Sequence, residues 1–224
     1  MTDLDVVYFC RAGENEELRF SLRSLGNMPV RNVWVFGAWP SWYTGPRVRV
    51  SQNGFKHEVT DRAMTAACEH PEISDRFVMM NDDFYVMKPG GLPEAAHMGP
   101  IAGVLARYAA DGITPENSGY LRRMRDTLRV LHERGIQEPL SYELHTPMVV
   151  DKLGMLGATR TRGQQRSMYG NLARLGGKRM ADVKVYGDEP LPRGRWLSTS
   201  DRTIKRLAAM LAERFPDPSP WETG

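Results

Sequence analysis

The stretch Phe77-Val78-Met79-Met80-Asn81-Asp82-Asp83-Phe84-Tyr85-Val86-Met87 decides how the rest of the chain is read. Four apolar residues in a row read as a buried strand. An apolar strand does not carry two adjacent carboxylates into a sheet without a reason, because burying unpaired charge is expensive. Asp82 and Asp83 therefore mark the carboxyl end of the strand, which is where open α/β sheets bind their ligands. Two carboxylates placed there offer hard oxygen ligands to Mg²⁺ or Mn²⁺. Asn-Asp-Asp is equally good turn chemistry between two strands, and that reading stands beside the first.

Working outward, DVVYFC at 5–10 and NVWVF at 32–36 are further β-branched and aromatic runs, and RVRVS at 47–51 is a shorter one. Between them, Leu18, Leu22 and Leu25 fall on one helical face that Gly26 ends, and a second helix covers roughly 57–68. Strands alternating with helices predict βαβ units and a mostly parallel sheet. Beyond a loop at 91–100 the pattern turns helical, over about 101–110, 118–134 and 165–174. A further helix is expected to start at Pro147, a residue suited to a first helical position. Short strands are expected at 183–186 and 195–198, and a last amphipathic helix at about 201–214 with Asp201 as its cap. The Pro-rich end should be loose. The expected fold class is thus α/β, with flanking helices and a helix-rich C-terminal half. The expectation is one domain over 1–214, divided into a ligand-binding half at 1–89 and a helical half at 90–214. Residues 215–224 follow as a flexible tail.

Composition narrows the classes. The chain has 224 residues, with 41% hydrophobic and 25% charged, as in soluble globular proteins. No window approaches the roughly 20 apolar residues of a membrane helix. The acidic start lacks the basic region of a secretory signal, and two cysteines, Cys10 and Cys68, make no disulfide framework. A cytoplasmic location is expected. Residues 1–100 carry 10 Lys+Arg and 13 Asp+Glu, net −3, whereas residues 101–224 carry 20 and 14, net +6. A basic second half can face phosphates of a nucleotide or a nucleic acid, or be a solvated, ion-paired surface. GxxxxGK[ST], HExxH and GxSxG are all missing from the sequence.

Several stretches in order, DVVYFC at 5–10, ELRFSLRSL at 17–25, VRNVWVFG at 30–37, FVMMNDDFYVMKP at 77–89 and LHTP at 144–147, resemble the Stealth family of sugar-phosphate transferases. The resemblance covers most of residues 5–89 and a patch near 145. Within that family the chain is similar to small members such as the glycosyltransferases of actinobacterial phages. The resemblance implies a GT-A-like fold and a nucleotide-sugar donor, commonly a UDP-sugar, which passes sugar-1-phosphate or sugar to an acceptor hydroxyl. The acceptor could be a glycan, a protein or modified DNA. It also implies a divalent metal, Mn²⁺ or Mg²⁺, on Asp82 and Asp83, and a donor site that includes Tyr8, Arg19 and Arg23. Arg19 and Arg23 are one helical turn apart, which suits phosphate oxygens; alone, they also read as a solvated face paired with Glu16 or Glu17. The family's first strand continues into Trp-Val-Asp-Gly, whereas here Phe9-Cys10-Arg11-Ala12-Gly13 follows, so the donor contact of the missing Asp is either lost or taken over by Arg11. Asn53 and His57 stand where the family carries an Asn-Ser-His group, and Lys56 between them is a further candidate for the donor site.

His145, in YELHTP, can accept a hydroxyl proton, since imidazole changes charge near neutral pH; as a loop histidine it would cap the following helix. Arg160, Arg162 and Arg166 cluster beside Gly163, where three cations could neutralise a diphosphate or form a solvated charge run. Asp201, in WLSTSDRTI, could be a third metal ligand or the catalytic base, or an N-cap. A nucleic-acid-binding protein using the basic second half is the alternative function from another class.

Overall fold

The computed structural model describes residues 4–223. The chain opens with β1 (Asp5–Cys10), whose residues are all buried except the partly buried Phe9. A turn leads to α1 (Glu16–Ser24), which buries Leu18, Phe20 and Leu22 and ends in a 3₁₀ turn at Leu25–Asn27. Next come β2 (Val33–Gly37), β3 (Arg47–Arg49) and α2 (Lys56–Glu69). The decisive stretch forms β4 (Arg76–Asn81), a two-residue turn and β5 (Phe84–Val86). There follow β6 (Ala96–His97), α3 (Ile101–Ala110), α4 (Gly119–Glu133) and β7 (Met148–Asp151). The chain then forms α5 (Lys152–Thr159), α6 (Gln165–Leu172), β8 (Lys178–Arg179), β9 (Trp196–Ser198) and α7 (Thr203–Arg214).

The main sheet has the order β3-β2-β1-β4-β7. β1 pairs in parallel with both β2 and β4, and β2 with β3. Parallel strands buried on both faces read as unbroken apolar runs rather than alternations, which is why NVWVF and FVMM were legible as strands. From β1 the order proceeds one way to β2 and β3 and the other way to β4. The gap between the carboxyl ends of β1 and β4 is therefore a topological switch point, the place where such sheets form their ligand crevice.

The chain forms two compact units. Among the described residues, the first comprises 4–93, 145–150 and 183–223, and the second 94–144 and 151–182. In the first, one face of the main sheet packs Val6, Tyr8, Val33, Val35, Val78 and Met80 against Leu18 and Leu22 of α1. A smaller cluster sets Tyr85 and Leu197 of the antiparallel β5–β9 pair against Leu207 and Leu211 of α7. In the second unit α4 buries Leu121, Met124 and Leu131, which lie on one helical face, and the parallel β6–β8 pair closes it at one edge.

Three readings are corrected. No helix begins at Pro147; Met148–Asp151 forms the fifth strand of the main sheet. Val149 and Val150 favour a strand, and the helix waits for Asp151, whose Oδ1 accepts from the Gly154 amide at 2.7 Å. Asp201 does not cap α7; Ser200 and Thr203 exchange hydrogen bonds at that end instead, with the Ser200 amide donating to Thr203 Oγ1 at 2.8 Å. The end of the chain is pinned rather than loose. The Thr223 amide donates to the Trp42 carbonyl and the Thr44 amide to the Trp221 carbonyl. The Glu222 side chain, 1% exposed, lies on Arg19 and Arg23.

Candidate active site

Asp82 and Asp83 form the turn between β4 and β5, and that turn is set at the carboxyl end of a core strand. Asn15 ties this turn to the end of β1. It adopts a left-handed conformation (φ 44°) that asparagine tolerates better than most residues. Its Oδ1 accepts from the Leu18 amide at 3.1 Å and caps α1, while its Nδ2 donates to Asp82 Oδ2 at 2.7 Å. Burial first, and then the adjacent Asp83, raise the Asp82 carboxyl above its ordinary range, against the lowering effect of the Asn15 bond.

Asp83 is 8% exposed. Its Oδ2 accepts from Lys184 Nζ at 2.6 Å and from Ser198 Oγ at 3.2 Å, whereas its Oδ1 is buried with no hydrogen-bond partner. Such an orphan acceptor is rare enough to need an explanation. A hard cation would complete it. Oxygen donors alone are the right chemistry for Mg²⁺ or Mn²⁺, so Asp82 and Asp83 fit the metal that the family resemblance implies. Among the described residues no three of His, Cys, Asp and Glu gather into a cluster of cation-binding geometry. A divalent ion held there would take two carboxylates from the protein, with water and ligand phosphates as its other ligands.

These residues line a cleft of about 360 Å³ at the switch point, together with Arg11, Glu17, Gly37, Lys56, His145, Thr199 and Asp201. Gly37 lets the ends of β1 and β2 approach: its φ is +119°, and any side chain there would strike the Cys10 carbonyl. His145 presents its ring edge-on to Phe84 and Tyr186, with centroids 6.2 and 6.5 Å away. Arg11 and Asp201, both exposed, stand 3.7 Å apart. Glu17 accepts from Thr199 Oγ1 at 2.7 Å. Its carboxyl is pushed up to about 7 by burial above all and then by the charges of Asp82, Asp83 and Asp201, against the Thr199 bond. A carboxyl poised there can take a proton near neutral pH.

Of the residues singled out from sequence, the cleft brings together Asp82, Asp83, Arg11, Lys56, His145 and Asp201. It does not include the rest. Tyr8 is fully buried with its hydroxyl on Ser21 Oγ at 2.9 Å, so it belongs to the core, and burial pushes its phenol up. Arg19 and Arg23 point away to the C-terminal segment. Arg23 Nη2 is 2.9 Å and Arg19 Nη1 3.4 Å from Glu222 Oε2, and Arg19 also stacks on Trp42. Asn53 lies exposed outside the lining, its carbonyl accepting from Arg62. Arg160 and Arg162 are exposed in the second unit, where Arg162 pairs with Asp126 at 3.1 Å. Other cations of the second half are likewise paired, Arg125 with Glu116 and Arg129 with Glu133, each at 2.6 Å. Exposed pairs of this kind contribute little to stability.

Sequence reasoning missed Asn15, Glu17, Lys184 and Thr199 as site residues. Glu17 stood in the ELRFSLRSL block but was read only as an arginine partner. Lys184 carried no local signal, being 101 residues from the carboxylate it meets. No helix among the described residues is long and apolar enough to cross a membrane. Compared with known proteins, the chain matches no family model and no curated sequence.

Proposed function

We propose that this cleft binds a nucleotide-sugar and transfers sugar-1-phosphate, or sugar, from it to an acceptor hydroxyl. The observation that carries the reading is the carboxylate pair at the switch point, with Asp83 Oδ1 buried and unpartnered in a cleft that also holds Arg11, Lys56 and Lys184. A divalent cation on Asp82 and Asp83 would supply charge neutralisation at the donor's diphosphate. Arg11, Lys56 and Lys184 supply positive charge for the phosphate oxygens. Asn15 holds Asp82 in place through its 2.7 Å bond. Glu17 or His145 accepts the proton of the acceptor hydroxyl as its oxygen attacks. If phosphorus is attacked, the new O–P bond forms as the bond to the nucleoside monophosphate breaks. If the anomeric carbon is attacked, a glycoside forms and the nucleoside diphosphate leaves.

The test is mass spectrometry of nucleotide products after incubation with Mn²⁺ or Mg²⁺ and a panel of UDP-, GDP- and dTDP-sugars. Slow donor hydrolysis needs no known acceptor. Nucleoside monophosphate, absent from an Asp82→Ala/Asp83→Ala control, supports sugar-phosphate transfer, and nucleoside diphosphate supports sugar transfer. No product and no nucleotide binding would overturn the proposal.

A further inference from the structure

We propose that Lys184 is a built-in countercation that a divalent metal ion must displace from Asp83, and that the freed ammonium then pairs with the phosphates of the ligand. The inference rests on the reading of Asp82 and Asp83 as the cation-holding pair, but not on any transfer reaction. Lys184 Nζ lies 2.6 Å from Asp83 Oδ2, and the two side chains are only 16% and 12% exposed. The contact is therefore a largely desolvated, charge-assisted bond rather than a surface pair. The lysine is held to this spot by its own backbone, which bridges to Ser198, and Ser198 Oγ shares the same carboxylate oxygen. Its Nζ also stands 5.9 Å from the Tyr186 ring centroid.

The charges explain why the arrangement is an exchange and not a permanent pair. Asp82, Asp83, Glu17 and Asp201 are the carboxylates of the cleft, against Arg11, Lys56 and Lys184 as cations, with His145 and the Cys10 thiol the remaining titratable side chains of the lining; burial holds that thiol protonated. Arg11 is exposed and engaged with Asp201, and Lys184 is the cation in direct contact with Asp83. One ammonium satisfies one oxygen of Asp83 and leaves the buried Oδ1 without a hydrogen-bond partner. A divalent ion bound to Asp83 would stand within a few ångströms of that ammonium, where like charges in a poorly solvated site repel strongly. Lysine is suited to yield, with a compact charge on a flexible stem. Once displaced, it remains on the cleft wall beside the position of a metal-bound diphosphate, whose negative charge restores the balance. Metal and nucleoside diphosphate then bind cooperatively through Lys184, by the reciprocity that holds for any two linked ligands.

Mn²⁺ binding, followed by electron paramagnetic resonance with and without UDP, tests this on folded protein. Lys184→Met should bind Mn²⁺ about tenfold more tightly than the wild type without nucleotide, and UDP should add less to that affinity than it does in the wild type. Lys184→Arg, which keeps the charge, should behave as the wild type. Lys184→Met that binds Mn²⁺ no more tightly overturns the inference. Because an unpaired Asp83 can destabilise the fold, the unaltered protein provides the second readout. Acetylation of Lys184, followed by mass spectrometry, should accelerate on adding Mn²⁺ and slow again on adding UDP. A labelling rate indifferent to Mn²⁺ overturns the inference. These readings involve no turnover, so a protein that shows the exchange yet consumes no nucleotide-sugar would sink the proposed function and leave Lys184's role standing.

Discussion

The two ends of the parallel sheet each bury carboxylates, and they treat them in opposite ways. At the amino end of β1, Asp5 is fully buried and its acceptors are filled. Arg31 donates from Nε at 2.9 Å and from Nη2 at 2.6 Å, and the Ser74 amide donates at 2.8 Å. At the carboxyl end of β4, Asp82 has one side-chain donor, and Asp83 has a lysine and a serine on one oxygen and nothing on the other. The chemistry of the side chain is the same at both ends. What differs is satisfaction: a carboxylate with complete partners braces the fold, while one left incomplete is paid for elsewhere and is available to a ligand.

The comparison can be broken first at the incomplete end. Asp83→Asn should lower nucleotide-sugar turnover about 10³-fold, equivalent to about 4 kcal/mol in the barrier, while costing less stability than any change at Asp5. Product assays alongside urea denaturation check both halves. A variant as unstable as the Asp5 variant would erase the distinction between the two ends. Asp5→Ala should cost about 3 kcal/mol of unfolding free energy, since it strands the Ser74 amide and empties a buried position. In urea, an unchanged midpoint would show that the amino-end network braces nothing.

A fourth carboxylate sharpens the contrast, because Glu222 is filled like Asp5 but lies in the C-terminal segment. It accepts from Arg23 Nε at 3.0 Å and Nη2 at 2.9 Å and from the Ser219 amide at 2.8 Å, and against burial, which alone would raise it, these bonds together with the Arg23 charge hold its carboxyl below the ordinary range. Glu222→Ala should cost about 2 kcal/mol, or about 4–8 °C in Tm for a chain of this size. It should also speed protease removal of the last residues. Equal melting and equal proteolysis would mean that the segment contributes nothing to the fold.

The smallest effect is expected at Glu17. Its native carboxyl titrates near 7, against 4.5 as the ordinary value. The native state holds that proton more tightly than the unfolded chain does. The favourable contribution is therefore complete below 4.5 and is lost as pH rises to about 7. Glu17→Gln keeps the shape and carries no charge, so relative to the wild type it should gain stability between pH 5 and pH 8. The gain should be under about 1 kcal/mol, since the side chain is partly solvated. Melting temperatures of both proteins at the two pH values decide it; a constant difference would place the carboxyl at its ordinary value.

Much of the framework was legible because it is local. DVVYFC, NVWVF and FVMM are apolar runs of strand length, and Leu18, Leu22 and Leu25 repeat at helical spacing. Two carboxylates closing an apolar strand marked the site for the same reason, since burial of charge is costly wherever it occurs. Met148–Asp151 was not legible: Pro147 suits a helix start, and only the open edge of β4 makes four residues into a strand. The partners of the charged groups were equally hidden. Arg23 could be placed on a helix face, but its carboxylate comes from 199 residues away, so it serves the C-terminal segment and not the cleft. Lys184 reaches Asp83 and Thr199 reaches Glu17 only because the chain returns past the second unit to form β9 beside β5. By itself, then, the sequence determined the apolar strands, the helix faces and the carboxylate pair, because hydrophobic burial and the cost of buried charge act on neighbours along the chain. Only the tertiary structure decided which cation meets which carboxylate and which oxygen is left open, because electrostatic pairing acts through space.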